Sequence, residues 1–376
     1  MYERKILDLP LENGQKFFLK PDYLKELRDE LELFLSDNES MNNLDFTKKV
    51  LFSHELQSNN QVEGYGDDIK IINDIITRKV RKISDIEKKR RILNLYKGYQ
   101  FILKYKRVNE ISLKKLYDIL SKDLLIPYDL QFMGELYRED AVYIVSDFLD
   151  LENCEQGVDY HNISNLITNY FNFFNNTQEN NITGDFINSQ ILHFYFVYIH
   201  PYFDVNGRTS RTMSMWYLLK KEAYPYIIFN RGIPFHCNDY YDVIKKSKMS
   251  HDLTSFILYM MREVKIELEK EFIVQNIASN VNYELTSEDY QTILYFMSIN
   301  GLKSVLDFTS LYNRLIEKKK VKEIYDSMIV PLIDKDVLEV VRYTKKNMFG
   351  NTPNMVLELN KKKIDCDLSK VKRLQL

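Results

Sequence analysis

From Tyr23 to Leu35, apolar residues recur three and four positions apart, at Leu24, Leu27, Leu31 and Phe34. That spacing predicts an amphipathic helix with one stripe on a core. A second helix is expected from Asp45 to about Gln57, ending at SNNQVEGYG, where paired asparagines and two glycines mark a break. Ile69 to Lys106 reads as helical, with its many Lys and Arg on a solvated face, and further helices are expected over Ser112–Leu124 and Asn162–Phe174. The period changes at MGELYREDAVYIVS, Met133 to Ser146, where Val142, Ile144, Tyr137 and Tyr143 favour extended chain. A small hairpin turning at Arg138 to Ala141 is expected there. Two strands alone are marginal in water, so the hairpin must lean on helices or bind something. The bland reading is a surface connector.

The stretch Asp185 to Ile199, DFINSQILHFYFVYI, is apolar nearly all round in its second half. A helix without a polar face is buried on every side, which makes this one central. Pro201 disfavours helical geometry in the residue before it and donates no helical hydrogen bond, so the helix ends at His200. The chain then loops through Asn206 and enters another helix from about Gly207 to Lys221.

Beyond Val274 the pattern changes again. Thr286 reads as an N-cap and Gly301 as a C-cap, two more helices follow, and VLEVVRY and MVLEL alternate as strands about the turn-rich KNMFGNTPN. Three helices and a two-stranded ribbon are the order of a winged helix. From Lys303 to Leu376 there are 16 Lys and Arg against 10 Asp and Glu, a local excess of six positive charges. That excess is modest, and such modules serve protein contacts as well as DNA.

Composition narrows the class. The 376 residues hold only 11 Gly and 8 Pro, which agrees with a mainly helical chain of one to three domains. A net charge of −2 gives no whole-protein attraction to nucleic acid or anionic membrane. Cys154, Cys237 and Cys366 are far apart and fit neither a zinc site nor a disulfide framework, which points to a reducing compartment. The start lacks a secretory apolar core, and no window approaches the roughly 18 apolar residues of a membrane helix. A cytoplasmic protein is the default expectation.

Candidate chemistry gathers in IHPYFDVNGRTSRT, Ile199 to Thr212. Taken singly, a histidine at a helix end is more often a cap, and two arginines three apart usually form surface ion pairs. Together they stand at a helix N-terminus, where unpaired N–H groups and the helix dipole stabilise a phosphate. Gly207 lets the backbone approach closely, and Asn206 tolerates turn geometry and supplies an amide. Arg208 and Arg211 share a helix face and suit further phosphate oxygens. Asp204 would be repelled by bare phosphate, so a divalent cation belongs between them, and Mg2+ prefers this mixture of carboxylate and phosphate. His200 suits a general base at neutral pH. The set spells nucleotidyl or phosphoryl transfer.

The run HPYFDVNGRTSR, His200 to Arg211, resembles the Fic motif H-P-F-x-[D/E]-G-N-G-R-x-x-R, and LHFYFVYI resembles the helix before it. The resemblance spans roughly Ile92 to Lys270. It implies a Fic-type helical core with a small β-hairpin flap, and an enzyme that transfers AMP from ATP, with Mg2+, to a hydroxyl side chain of a target protein. His200 would deprotonate that hydroxyl, Asp204 would hold the metal, Asn206 and Gly207 would form the anion hole, and Arg208 and Arg211 would hold the outer phosphates. The hairpin resembles the family flap, with Val142, Tyr143 and Ile144 aligning a target segment. Tyr240 and Tyr241 stand where relatives place aromatics near adenine, with core packing as the competing reading. Tyr202 replaces the usual Phe and adds a hydroxyl needing a partner. Val205 replaces the first glycine of the anion loop, a misfit if that position needs positive φ.

NNQVEG, Asn59 to Gly64, resembles the family's inhibitory motif [S/T]-x-x-x-E-[G/N], with Asn59 at the Ser or Thr position and Glu63-Gly64 aligned. By that resemblance Glu63 pairs with Arg211 and makes ATP bind unproductively; otherwise it is a helix-terminal acid before a glycine turn. The expected division is an N-terminal helical region over 1–91, a Fic domain over 92–275 and a winged-helix-like domain over 283–376. The expected partners are a target protein, self-modification, a DNA or protein partner at the C-terminal domain and a second copy in a homodimer, with no membrane. Three alternatives stay open. One is transfer of another phosphate-containing group, which Gly207 disfavours for phosphoryl transfer because Doc-type kinases carry lysine there. The others are removal of AMP and a nucleotide-sensing DNA-bound regulator with a lapsed site.

Overall fold

The structure, a computed structural model, describes residues 3–43, 49–77, 85–144, 155–281, 285–298, 304–343 and 355–360. In chain order the elements are β1 (Lys5–Pro10), β2 (Lys16–Leu19), α1 (Pro21–Asp37), α2 (Lys49–Gln61), α3 (Ile69–Ile76), α4 (Ile86–Lys104), α5 (Glu110–Ser121), α6 (Pro127–Gln131), β3 (Tyr143–Ile144) and β4 (Glu155–Gln156). They continue as α7 (Ile163–Asn176), α8 (Ile182–Ile199), α9 (Asn206–Lys220), α10 (Cys237–Ser250), α11 (Thr254–Asn280), α12 (Ser287–Met297), α13 (Val305–Leu315), α14 (Val321–Ile324), α15 (Val330–Asp334), β5 (Leu338–Tyr343) and β6 (Met355–Leu359). The chain is mainly α, with three two-stranded antiparallel sheets among the described residues. It forms two units, one of residues 1–44 and 75–264 and the other of 45–74 and 265–376, so the contacts group 45–74 with the C-terminal chain rather than with the rest of the N-terminal region.

In the first unit, α8 is the centre. Fourteen consecutive residues, Thr183 to Phe196, are buried, as the all-round apolar pattern requires. Asn181 caps its start, accepting from the Gly184 N–H at 2.8 Å. Its neighbour α9 packs along it through small residues: the Ser210 hydroxyl donates to the His193 carbonyl and the Ser214 hydroxyl to the Ser189 carbonyl. Asn109 and Ser112 form a reciprocal capping box that opens α5.

Two extended segments differ from the sequence expectations. The N-terminal residues form a hairpin that the helical reading passed over, although Asn13-Gly14 is a strong turn signal. Gly14 takes φ 80°, and Phe17 of β2 is fully buried edge-on against Phe194 and Tyr198 of α8. The second hairpin does not turn at Arg138 to Ala141: Tyr143–Ile144 pairs with Glu155–Gln156 instead. The expected turn fails because Arg138 is buried and spends its donors on backbone carbonyls on either side. Val145 and Ser146 lie outside the described residues, as do Cys154 and Cys366.

In the second unit, α2 buries Ser53, His54, Glu55, Gln57, Ser58, Asn59 and Asn60. Gln57 accepts from Gln291 of α12 at 2.9 Å, and Gln61 donates to the Tyr295 hydroxyl at 2.9 Å. Thr286 caps α12 in a box with Asp289, as expected, while Gly301 and the ribbon's turn at 346–354 are outside the described residues. The third C-terminal helix is interrupted by a π-helical turn at Tyr325–Ile329, just before Pro331, whose missing N–H cannot continue the ladder. β5 and β6 pair antiparallel, with Leu338 opposite Leu359 and Tyr343 opposite Met355.

Asp68, at the start of α3, joins this unit's distant parts. Its carboxylate accepts from the Tyr312 hydroxyl at 2.6 Å and from Lys319 Nζ at 3.0 Å. Burial opposes the charge, but these donors outweigh it and hold the carboxyl below its ordinary value of 3.8. A depressed carboxyl contributes stability that is present above the unfolded pKa and lost as pH falls through the folded one. Asp68→Asn is therefore expected to cost about 2 kcal/mol at pH 7, with the difference from wild type shrinking below pH 3.8. Urea unfolding across pH 2.5 to about 7, followed on both proteins, checks this.

Candidate active site

The candidate loop lies between α8 and α9, where the chain reverses within six residues, His200 to Val205. His200 caps α8 in the left-handed region, φ 51° and ψ 59°, with its N–H still bonded to the Phe196 carbonyl. Pro201 ends the helix as expected, but a residue before proline ordinarily takes extended backbone, so the left-handed His200 is an exception that its surroundings must hold. Asn206 stabilises the reversal: its side-chain oxygen accepts from the Tyr202 N–H at 3.1 Å and its amide donates to the Tyr202 carbonyl at 2.8 Å. The side chain of Asn206 therefore shapes the loop, and only its backbone N–H is left for an anion. Tyr202 is fully buried and stacked on Tyr117 at 3.5 Å. Among the described residues its hydroxyl finds no hydrogen-bond partner, and burial drives its pKa well up.

Val205 takes φ 65° and ψ 11°, so this position does demand the left-handed region. A β-branched side chain there costs roughly 1–2 kcal/mol. The Val205 N–H turns to Asp204 Oδ1 at 2.5 Å. No side chain caps α9, whose first turn begins with Asn206 and Gly207. Arg208 and Arg211 are buried on that helix, and Asp204 is exposed beside it. The loop thus brings together His200, Asp204, Asn206, Gly207, Arg208 and Arg211.

Behind it stands His193, held between Gln190 Oε1 at 3.2 Å and the Tyr240 hydroxyl at 2.9 Å. Burial, then the charge of Arg211, pushes its pKa well below 6.5 and keeps the ring neutral. Tyr240 is itself buried, so its hydroxyl serves this inner contact, while Tyr241 packs against it at 5.1 Å and is 46% exposed.

Beside the loop, Tyr143 is 60% exposed on β3, Ile144 half-buried and Val142 buried, with the Val142 carbonyl accepting from Gly157 at 2.9 Å. Two residues here escaped the sequence reading. Arg138 donates from Nε to the His200 carbonyl at 3.0 Å, from Nη1 to the Asp140 carbonyl at 2.6 Å and from Nη2 to the Val158 carbonyl. Burial lowers its pKa to about 10 against the charges of Asp159, Glu12 and Asp140. At Gly157 a Cβ would lie 2.6 Å from Val142 Cγ1, so any larger residue there would have to displace the Val142 side chain. A lone arginine and a lone glycine carry no periodic signal that marks such roles.

Asn59, Glu63 and Gly64 belong to the other unit. Asn59 is buried in α2, Glu63 is half-buried just past its end, and Gly64 takes φ 80°. The Glu63 N–H is spent on the Asn60 carbonyl at 3.1 Å.

Residues 108–218, from just before α5 through nearly all of α9, match the model for the Fic/DOC family. The chain thus carries a Fic/DOC domain, of a family whose members are typically transferases. A Fic family protein from Desulfovibrio desulfuricans G20 shares the fold, with TM-score 0.54 and 16% identity over 90% of this chain and 95% of that chain. Fic-1 (residues 134–508) from C. elegans aligns with TM-score 0.47 and 14% identity over 68% of this chain and 71% of that one. No helix among the described residues is long and apolar enough to cross a membrane.

Val205 provides a test of the loop's backbone. Gly and Ala both remove the buried isopropyl group, but only Gly also removes the strain. Val205→Gly is expected to be more stable than Val205→Ala by roughly 1 kcal/mol, the reverse of their order inside a helix. Urea unfolding of the two variants measures the difference.

Proposed function

We propose that this chain is a protein adenylyltransferase that moves AMP from ATP onto a hydroxyl side chain of a protein. The observation that carries the reading is the convergence on one loop of an uncapped helix N-terminus, two buried arginines, an exposed carboxylate and a histidine. Backbone N–H groups at Asn206 and Gly207, with Arg208 and Arg211, favour the triphosphate. His200 takes the proton from the target hydroxyl as its oxygen bonds to the α-phosphorus; the bond from that phosphorus to the bridging oxygen breaks, and pyrophosphate leaves.

The donor set fits Mg2+. Among the described residues no three His, Cys, Asp or Glu side chains form a metal cage, and Asp204 holds an exposed carboxylate beside the loop. A cation that takes one carboxylate and draws its remaining ligands from phosphate and water suits that arrangement. When bound, it neutralises charge on the phosphates.

In this reading the flap residues Val142, Tyr143 and Ile144 align the target segment by strand addition. Tyr241, the more exposed of the two rings, faces the purine, with Tyr240 supporting it through His193. Glu63 restrains the enzyme through Arg211, with Gly64 and Asn59 shaping its turn. The winged-helix-like C-terminal module recruits DNA or a protein, and the enzyme works in the cytoplasm as a homodimer that also modifies itself. A domain division of 1–91, 92–275 and 283–376 goes with this assignment. Val205 favours one second reading, a nucleotide-sensing regulator without turnover, because its strained turn already uses one loop amide on Asp204.

With α-labelled ATP and Mg2+, His200→Ala is expected to lower label transfer by at least about a hundredfold. Equal labelling of both proteins contradicts the proposed base. Glu63→Gly should raise self-labelling, and unchanged labelling in a variant that still binds ATP contradicts the brake.

A further inference from the structure

The carbonyl of His200 is one of the last in α8, where helix geometry leaves acceptors without intrahelical donors. Pro201 has no N–H to offer nearby, so a donor must come from elsewhere, and it comes from Arg138. Nε of that residue reaches the His200 carbonyl at 3.0 Å, and its backbone N–H reaches the next carbonyl, Pro201, at 3.1 Å. Both peptide groups flanking Pro201 are thereby fixed to one residue. The guanidinium is in turn fixed by the Asp140 and Val158 carbonyls.

The peptide group between Val158 and Asp159 is gripped on both edges. Its carbonyl accepts from Arg138, and its N–H donates to Glu12 Oε1 at 2.7 Å. The same oxygen of Glu12 accepts from Asn162 Nδ2 at 3.1 Å. Glu12 sits in the loop of the N-terminal hairpin, and that loop is tied to the last turns of α8: the Tyr195 hydroxyl donates to the Pro10 carbonyl at 2.7 Å, and the Glu12 N–H donates to the Tyr198 hydroxyl at 3.2 Å. A closed circuit runs from α8 through the hairpin, one peptide group and Arg138 back to the end of α8.

We propose that Arg138 is a positioning residue for His200, and that the N-terminal hairpin sets it through Glu12. The proposal rests on the reading of His200 as the base. His200 holds a left-handed conformation that a non-glycine residue adopts only under constraint. The circuit supplies that constraint and fixes the direction in which the imidazole leaves the backbone. Gly157 leaves the room: a Cβ there would come within 3.1 Å of Arg138 Nη2 and 3.6 Å of His200 Cβ. Displacement of a catalytic group by about 1 Å is enough to lower a rate a hundredfold.

The test uses the full chain and two readouts, hydrogen exchange of peptides covering 157–162 and 196–203, and transfer of labelled AMP across pH. Arg138→Lys keeps the charge but cannot span three carbonyls; Glu12→Ala alters only an exposed loop and serves if the arginine variant folds poorly. Faster exchange in both segments is expected, with kcat down about tenfold to a hundredfold in Arg138→Lys, a smaller fall in Glu12→Ala, KM for ATP little changed, and Glu12→Gln restoring most of the rate. Wild-type exchange at 196–203 in both variants overturns the proposal, as does a rate loss that merely follows the fraction unfolded. His200→Ala in the same assay separates the two claims: if it transfers AMP normally, the base assignment fails while exchange still decides the circuit.

Discussion

The reversal between α8 and α9 is the constraint on which the rest of the site depends. One buried helix must stop, turn within six residues and return against itself as a second, and two non-glycine residues take left-handed conformations to do so. Such a turn persists only where its surroundings over-determine it. Here Asn206 grips both polar groups of the Tyr202 backbone, Tyr117 stacks on the Tyr202 ring and Arg138 draws on the His200 carbonyl. The outcome is a helix end beside a histidine, with the α9 N-terminus left without a side-chain cap.

Much of that was legible in the sequence. The all-round apolar pattern of α8, the proline after His200 and the capping threonine at Thr286 each act through local geometry, and the structure follows them. The fold class followed for the same reason, since scarce glycine and proline leave long helical runs unbroken. The Val205 misfit was visible as a β-branched residue in a glycine position, and its φ of 65° bears out the concern.

What escaped the sequence depends on distant contacts. Arg138 looked like a turn residue because nothing local marks the carbonyls of His200, Asp140 and Val158 as its partners. The pairing of Tyr143–Ile144 with Glu155–Gln156 spans more than ten residues and is likewise non-local. The grouping of 45–74 with 265–376 is longer-range still, resting on contacts such as Asp68 with Tyr312 and Lys319. The N-terminal hairpin is a different case: its Asn13-Gly14 turn was present in the sequence, and helical bias elsewhere obscured it.

The central claim is that the start of α9 holds the phosphates of a nucleotide. Calorimetric titration of Mg-ATP into the wild type, Arg208→Ala and Arg211→Ala tests it without requiring any turnover. The account predicts measurable binding by the wild type and at least about tenfold weaker binding in each variant, equivalent to the loss of one charge-assisted contact. Equal affinity in all three proteins, each shown to be folded, would contradict it.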